Sequence, residues 1–167
     1  HVQTYGWLPW SNNDEMSGTS GESKRLEAIE IDLTGADKDK YDVYYRVHAQ
    51  SYGWLGWAKN GEAAGTAGYS RRLEGIEIMI VKKDAYFPSA GTTGVVSKYS
   101  QPYISSNGST STTIPGSATS TNIRYQTHVQ SYGWQAWKYN GAMSGTSGES
   151  KRLEGINILL SNKEYSG

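Results

Sequence analysis

The sequence predicts an all-β domain with pseudo-threefold symmetry, and three observations predict it. One block recurs three times: HVQTYGWLPW from His1, HAQSYGWLGW from His48 and HVQSYGWQAW from His128, each followed at the same offset by RLEAIEI, RLEGIEI or RLEGINI. Segments such as TyrArgValHisAlaGln and IleGluIleMetIle are rich in β-branched and aromatic residues, and no helix-length 3.6 periodicity accompanies them. Asn60-Gly61 and Asn140-Gly141 are two-residue hairpin signals, with Asn13-Asp14 as a weaker turn at the same place in the first copy. At 167 residues the chain is long enough for one well-buried domain.

The elements follow in order within each copy. A strand runs through the histidine (His1, His48, His128) and the glutamine two residues later (Gln3, Gln50, Gln130). A tight turn follows at Tyr-Gly-Trp, holding Tyr5, Tyr52 and Tyr132 and the first tryptophans Trp7, Trp54 and Trp134. The second tryptophans, Trp10, Trp57 and Trp137, lead into the Asn-Gly hairpin, and a long strand begins at Arg-Leu-Glu. Strict alternation along that strand would put its Leu on the wrong face. A bulge at Ala28, Gly75 and Gly155 returns it to the apolar side, and glycine in two copies suits a bulge or a close backbone approach. Four strands per copy, three times over, give a β-prism-like domain of three roughly four-stranded sheets, with a β-trefoil as the alternative. An open row of repeats, or exchange of the third copy between two molecules, is a further arrangement that the spacing allows.

The copies occupy 1–34, 41–83 and 122–161. Between the second and third lies 84–121, dense in Ser, Thr and Gly, which reads as a flexible connector without a core of its own; ValValSerLysTyr within it is a candidate edge strand. The first copy lacks the Tyr-containing segment that precedes His48 and His128, so its leading strand is incomplete. The chain opens on histidine and reads as a trimmed piece of a longer protein whose signal peptide has been removed.

Composition narrows the function. Lys plus Arg and Asp plus Glu both total 16, so no net field steers the chain toward nucleic acid or an anionic membrane, and no apolar run approaches the length of a membrane span. Cysteine is absent, which excludes disulfides and thiolate zinc sites. Thirteen Tyr and 6 Trp against a single Phe favour rings with a polar handle, kept near water. Catalysis needs a singular constellation, whereas every acid or base of note here recurs in triplicate, and the motifs of serine hydrolases, phosphate-binding loops and zinc proteases are missing. The expectation is a non-enzymatic binding module without a cofactor.

Three groups of residues carry the chemistry, each with two readings. The tryptophan faces stack on pyranose rings, and three equivalent shallow sites give avidity on a repetitive polymer. On this reading the first tryptophans pack the core, while the second tryptophans, the neighbouring Tyr5, Tyr52 and Tyr132, and Asn13, Asn60 and Asn140 of the hairpin face the ligand. The histidines are either turn organisers or, if gathered at an axis, a three-imidazole metal site; no acidic signature accompanies them to favour metal, and no metal site is expected. The pairs Arg25–Glu27, Arg72–Glu74 and Arg152–Glu154 lie on one side of a strand, either as structural ion pairs or as a clasp for a ligand carboxylate or hydroxyl.

The composite pattern H-[VA]-Q-x-Y-G-W with G-T-x-G-x-S-[KR]-R-L-E-[AG]-I-x-I resembles the Clostridial hydrophobic repeat with a conserved tryptophan, the ChW repeat, over all but the connector. The resemblance implies a secreted or surface protein of Gram-positive bacteria, lectin-like, binding cell-wall polymers or other polysaccharides; a protein–protein adhesion module is the alternative. Repeats of that family commonly run back to back, so the connector is a departure from it.

Overall fold

The computed structural model describes residues 1–83, 85, 97–105, 108–110 and 123–160. Among them the only helical element is a 3₁₀ turn at Lys38–Lys40; the rest is strand and turn. The strands are β1 (Met16–Gly18), β2 (Ala28–Ile29), β3 (Tyr41–Ala49), β4 (Gly53–Trp54), β5 (Ala58–Lys59), β6 (Ala64–Ala67) and β7 (Leu73–Lys82), then β8 (Tyr103–Ser105) and β9 (Gly108–Thr110), and finally β10 (Ile123–Val129), β11 (Gly133–Trp134), β12 (Lys138–Tyr139), β13 (Ser144–Gly145) and β14 (Leu153–Leu160). In the second and third copies the order is as expected: a leading strand, a tight turn, a hairpin and a long closing strand. Asn60 and Gly61 both have positive φ, 44° and 82°, as do Asn140 and Gly141, at 45° and 88°, the backbone of a type I′ turn. In the first copy only Asp14 of the pair is positive.

The sheets are built by exchange between copies. β6 of the second copy pairs with β2 of the first, β13 of the third with β7 of the second, and β1 of the first with β14 of the third. Each copy thus lends its short Gly-Thr strand to the closing strand of the copy before it, and the chain closes on itself. The contacts repeat in kind: Thr66 N–H donates to Glu27 C=O at 2.7 Å, Thr146 to Glu74 at 2.7 Å and Thr19 to Glu154 at 2.8 Å. Closer to the axis, Leu26 N–H donates to Leu153 C=O and Leu73 N–H to Leu26 C=O, both at 2.8 Å. Gly18, Gly65 and Gly145 make the crossings possible. Their φ values are 114°, 123° and 107°, and a Cβ on any of them would run into the backbone carbonyl of Glu154, Glu27 or Glu74. Three separate sheets result, related by a pseudo-threefold axis: β1-β14-β10-β11 with β12, β9-β8-β6-β2, and β13-β7-β3-β4 with β5. This is the prism-like arrangement, made within one chain.

The core lies between the sheets, where Val43, Val47, Ile76, Ile78, Ile80, Ile123 and Ile156 are buried. Two tyrosines bridge adjacent copies. Tyr45 accepts a hydrogen bond from Ile31 N–H (3.0 Å) and donates to Glu62 C=O; Tyr125 accepts from Ile78 N–H (3.1 Å) and donates to Ala142 C=O (2.6 Å). Burial pushes both hydroxyls far above the ordinary tyrosine range. A bulge is present, one residue before the expected Gly75 and Gly155: Ala49 pairs with Leu73 and His48 with Gly75, leaving Glu74 without a partner, and the third copy repeats this at Glu154. Neither Gly75 nor Gly155 has a positive φ. Glycine is explained there by close approach, since an added Cβ would lie 3.3 Å from Thr146 O or 3.2 Å from Thr19 O of a neighbouring copy.

The middle sheet differs at both ends. On one side β8, from the stretch read as a free connector, pairs in parallel with β6. Gly65 N–H donates to Pro102 C=O (2.8 Å), Gly56 N–H to Gln101 C=O (2.9 Å) and Lys98 N–H to Trp54 C=O (3.2 Å). The expectation of a purely flexible connector is therefore corrected for 97–105, which docks on the second copy. The candidate edge strand ValValSerLysTyr lies partly outside the described residues, and its described portion, Ser97 to Tyr99, is not strand. On the other side β2 is only two residues long and ends the sheet.

Candidate aromatic binding sites

Each copy carries one ion-paired cluster at the start of its closing strand. Arg25 Nε and Nη2 both reach Glu27 Oε1 at 2.8 Å, and the other Glu27 oxygen lies 3.2 Å from His1 Nδ1. Arg72, Glu74 and His48 repeat this, as do Arg152, Glu154 and His128, with His–Glu distances of 3.1 Å. The carboxylates are buried and the guanidiniums largely so. The Arg–Glu pairs are thus buried ion pairs, each glutamate held by arginine on one side and histidine on the other, with Glu74 and Glu154 the bulged residues. The sequence reading did not anticipate that histidine would complete the pair. Burial holds His48 below the ordinary imidazole range, outweighing the pull of Glu74 in the opposite direction. Gln3, Gln50 and Gln130 contribute through the backbone, their N–H groups donating to Arg25, Arg72 and Arg152 C=O at 2.9–3.0 Å. Among the described residues no group of three His, Cys, Asp or Glu is placed to hold a metal ion.

The first tryptophan of each copy packs its ring edge-to-face on the histidine, with centroids 5.4–5.5 Å apart. Neither tryptophan set is uniformly buried or exposed. Trp7 is 44 % exposed and Trp134 40 %, against 7 % for Trp54; Trp10 is 65 % exposed, Trp137 intermediate, and Trp57 is 1 % exposed. The expectation that the first set forms core and the second faces ligand is corrected: exposure follows the copy, not the position. In the second copy Arg46 of β3 lies between the two indoles, 4.7 Å from Trp54 and 4.8 Å from Trp57, and pairs with fully buried Glu77 at 2.7 Å. Residues 97–99 add to the cover, with Ser97 accepting from Arg46 (3.0 Å) and Tyr99 edge-on to Tyr52 at 5.7 Å. In the third copy Gln126 stands where Arg46 stands, and Trp134 is open; Arg124 lies 5.0 Å over Trp137 instead.

The tyrosines of the tight turn show the same contrast. Tyr5 donates to Glu22 at 2.6 Å with Lys24 5.5 Å above its ring; Tyr132 donates to Glu149 at 2.8 Å with Lys151 5.4 Å above its ring. The acceptor carboxylates raise both phenol pKa values. The first and third copies thus each expose a tyrosine and a tryptophan two residues apart, Tyr5 with Trp7 and Tyr132 with Trp134, with a carboxylate and an ammonium at the tyrosine. Their signal was present in the sequence as GluSerLys in copies one and three against TyrSerArg in copy two, and it was not read. The hairpin asparagines serve the fold: Asn60 Oδ1 accepts from Val43 N–H (2.9 Å), Asn140 from Ile123 N–H (3.0 Å) and Asn13 from Leu160 N–H (2.8 Å).

Comparison with known proteins agrees with this threefold plan. No curated protein and no solved structure matches the chain. The model of one family, Clostridial hydrophobic W (ChW), matches three times, at residues 1–35, 48–82 and 128–162, once in each structural copy and together over more than half of the sequence. With the histidine, both tryptophans and the Arg-Leu-Glu strand of every copy inside those matches, the chain belongs to the ChW family.

Proposed function

We propose that the protein is a secreted or cell-surface, non-catalytic module that binds polysaccharide, foremost a cell-wall polymer, through the aromatic platforms of its first and third copies. The observation that carries this reading is their equivalence: the same exposed Tyr and Trp, with the same Glu and Lys beside the tyrosine, recur in the first and third copies. An indole or phenol face stacks on the C–H face of a pyranose, while carboxylate and ammonium groups at its rim satisfy hydroxyls. Two such platforms engage a repetitive chain together, so weak single sites sum to useful avidity. The second copy, covered by residues 97–99, takes no part. No cofactor is needed for this role, and the ion-paired His–Glu–Arg clusters position the platforms.

The test is retention on isolated Gram-positive cell walls and on a glycan array, with wild type against Trp7→Ala/Trp134→Ala and Tyr5→Ala/Tyr132→Ala. These side chains are about half exposed, so the fold survives their loss and circular dichroism verifies it. Glycan retention by the wild type, reduced at least tenfold in either double variant, is expected. Wild type that binds neither walls nor glycans, or variants that bind as well as wild type, would replace this reading with adhesion to a surface protein.

A further inference from the structure

In the second and third copies a leading strand lies along the closing strand: β3 on β7, and β10 on β14. Beside β2 of the first copy there is instead a groove of about 780 Å³, bordered by Trp10, Asn13 and the free edge at Glu30 and floored by Ile80, Ile123 and Ile158. The filled copies specify what fits there. Tyr45 ties Ile31 N–H to Glu62 C=O and Tyr125 ties Ile78 N–H to Ala142 C=O; the third pair in this ring is Ile158 N–H and Glu15 C=O, and both residues line the groove. Arg46 sits between Trp54 and Trp57 on Glu77; the corresponding residues are Trp7, Trp10 and Glu30, with Trp10 65 % exposed where Trp57 is 1 % exposed. Burial raises the Glu30 carboxyl, and it has no ion pair among the described residues. Asn60 and Asn140 hold the backbone of the leading strand, whereas Asn13 reaches across to Leu160.

We infer that this groove is a docking site for one extended β-strand from outside residues 1–167, with apolar side chains at alternate positions and an adjacent Tyr and Arg, which completes the middle sheet by antiparallel pairing with residues 29–34. Its backbone pairs with the outward N–H and C=O groups of Glu30 and Asp32, since Ile29 already pairs with Ala64 on the other side. Its tyrosine hydroxyl enters between Ile158 and Glu15, and its arginine enters between Trp7 and Trp10 onto Glu30. This surface shares Trp7 with the first-copy platform and is otherwise built from different residues, and its test reads peptide binding, which does not depend on glycan binding.

The probe is an acetylated, amidated peptide of the sequence of Asp42–Val47, titrated into the 167-residue chain while tryptophan emission and thermal midpoint are followed. Saturable one-to-one binding is expected, with a blue shift that Trp10→Phe removes and a midpoint that rises with peptide concentration. Changing the peptide tyrosine that matches Tyr45 to Phe, or its arginine to Gln, weakens binding about fivefold or more, because each leaves a buried partner unsatisfied. Glu30→Pro in the protein deletes an edge N–H without touching the ladder to β6 and abolishes binding. No binding, or equal binding by a scrambled peptide and by both substituted peptides, would overturn the proposal even if the proline variant failed to fold.

Discussion

His48 shows how a single titratable side chain reports on its surroundings. Its ring contacts the Trp54 indole, itself buried, and its Nδ1 lies 3.1 Å from Glu74, yet burial prevails and the imidazolium is disfavoured in the native state. The unfolded chain therefore binds a proton at a pH where the folded one does not. The stabilisation from His48 is complete above the unfolded value of about 6.5 and is lost as pH falls toward the folded value. The thermal midpoint of the wild type is accordingly expected to decline between about pH 7 and pH 5, and that of His48→Gln to decline less steeply. Thermal scans at half-unit pH intervals check this. A steeper decline in the variant would mean that Glu74, not burial, governs the imidazole.

At the scale of paired elements, the copies serve as controls for one another. On β3 and β7 Arg46 faces Glu77, both fully buried; on β10 and β14 the same cross-strand position holds Gln126 facing Asn157. One geometry thus accepts an ion pair or two neutral amide-bearing side chains. A buried pair contributes less than its Coulomb attraction suggests, but removal of one member strands the other charge. Arg46→Gln or Glu77→Asn alone is expected to cost about 3–5 kcal/mol, and the double substitution to return to within about 2 kcal/mol of wild type. Urea denaturation of the four proteins checks it; additive losses would show that Arg46 acts through Trp54 and Trp57 alone. The same elements show what the sequence discloses. Strand order, the Asn-Gly turns and the bulge were legible because each depends on neighbours along the chain. The docking of 97–105 was not, because Ser-rich composition is silent about backbone pairing; the only trace is Gly56, where any Cβ would collide with Ser100. Tryptophan exposure was illegible for a related reason: it depends on tertiary cover, which Arg46 and residues 97–99 supply in the second copy.

For the molecule as a whole, the decisive property is that no copy completes its own sheet. Recurrence of Gly18, Gly65 and Gly145 was visible in the sequence, but not that each glycine crosses the glutamate of a different copy. In an open row of repeats the terminal unit can melt by itself, whereas a closed ring of exchanged strands makes every junction a condition for the other two. Two glycines three residues apart separate these cases. Gly148 has φ +75° and open space around it, so Gly148→Ala is expected to cost only about 1 kcal/mol through the left-handed backbone. Gly145 has φ +107° and lies against Glu74 C=O; Gly145→Ala must part β13 from β7 and break the Thr146–Glu74 hydrogen bond, for about 3 kcal/mol or more. The damage belongs to the junction of copies two and three, but closure spreads it: tryptophan emission and far-ultraviolet dichroism of Gly145→Ala are expected to fall in one coincident transition, shifted to lower urea as a unit. A biphasic curve, with one copy lost ahead of the rest, would show that the three units are merely neighbours and that the hydrogen bonds linking Leu73 to Leu26 and Leu26 to Leu153 do not bind them into one cooperative body.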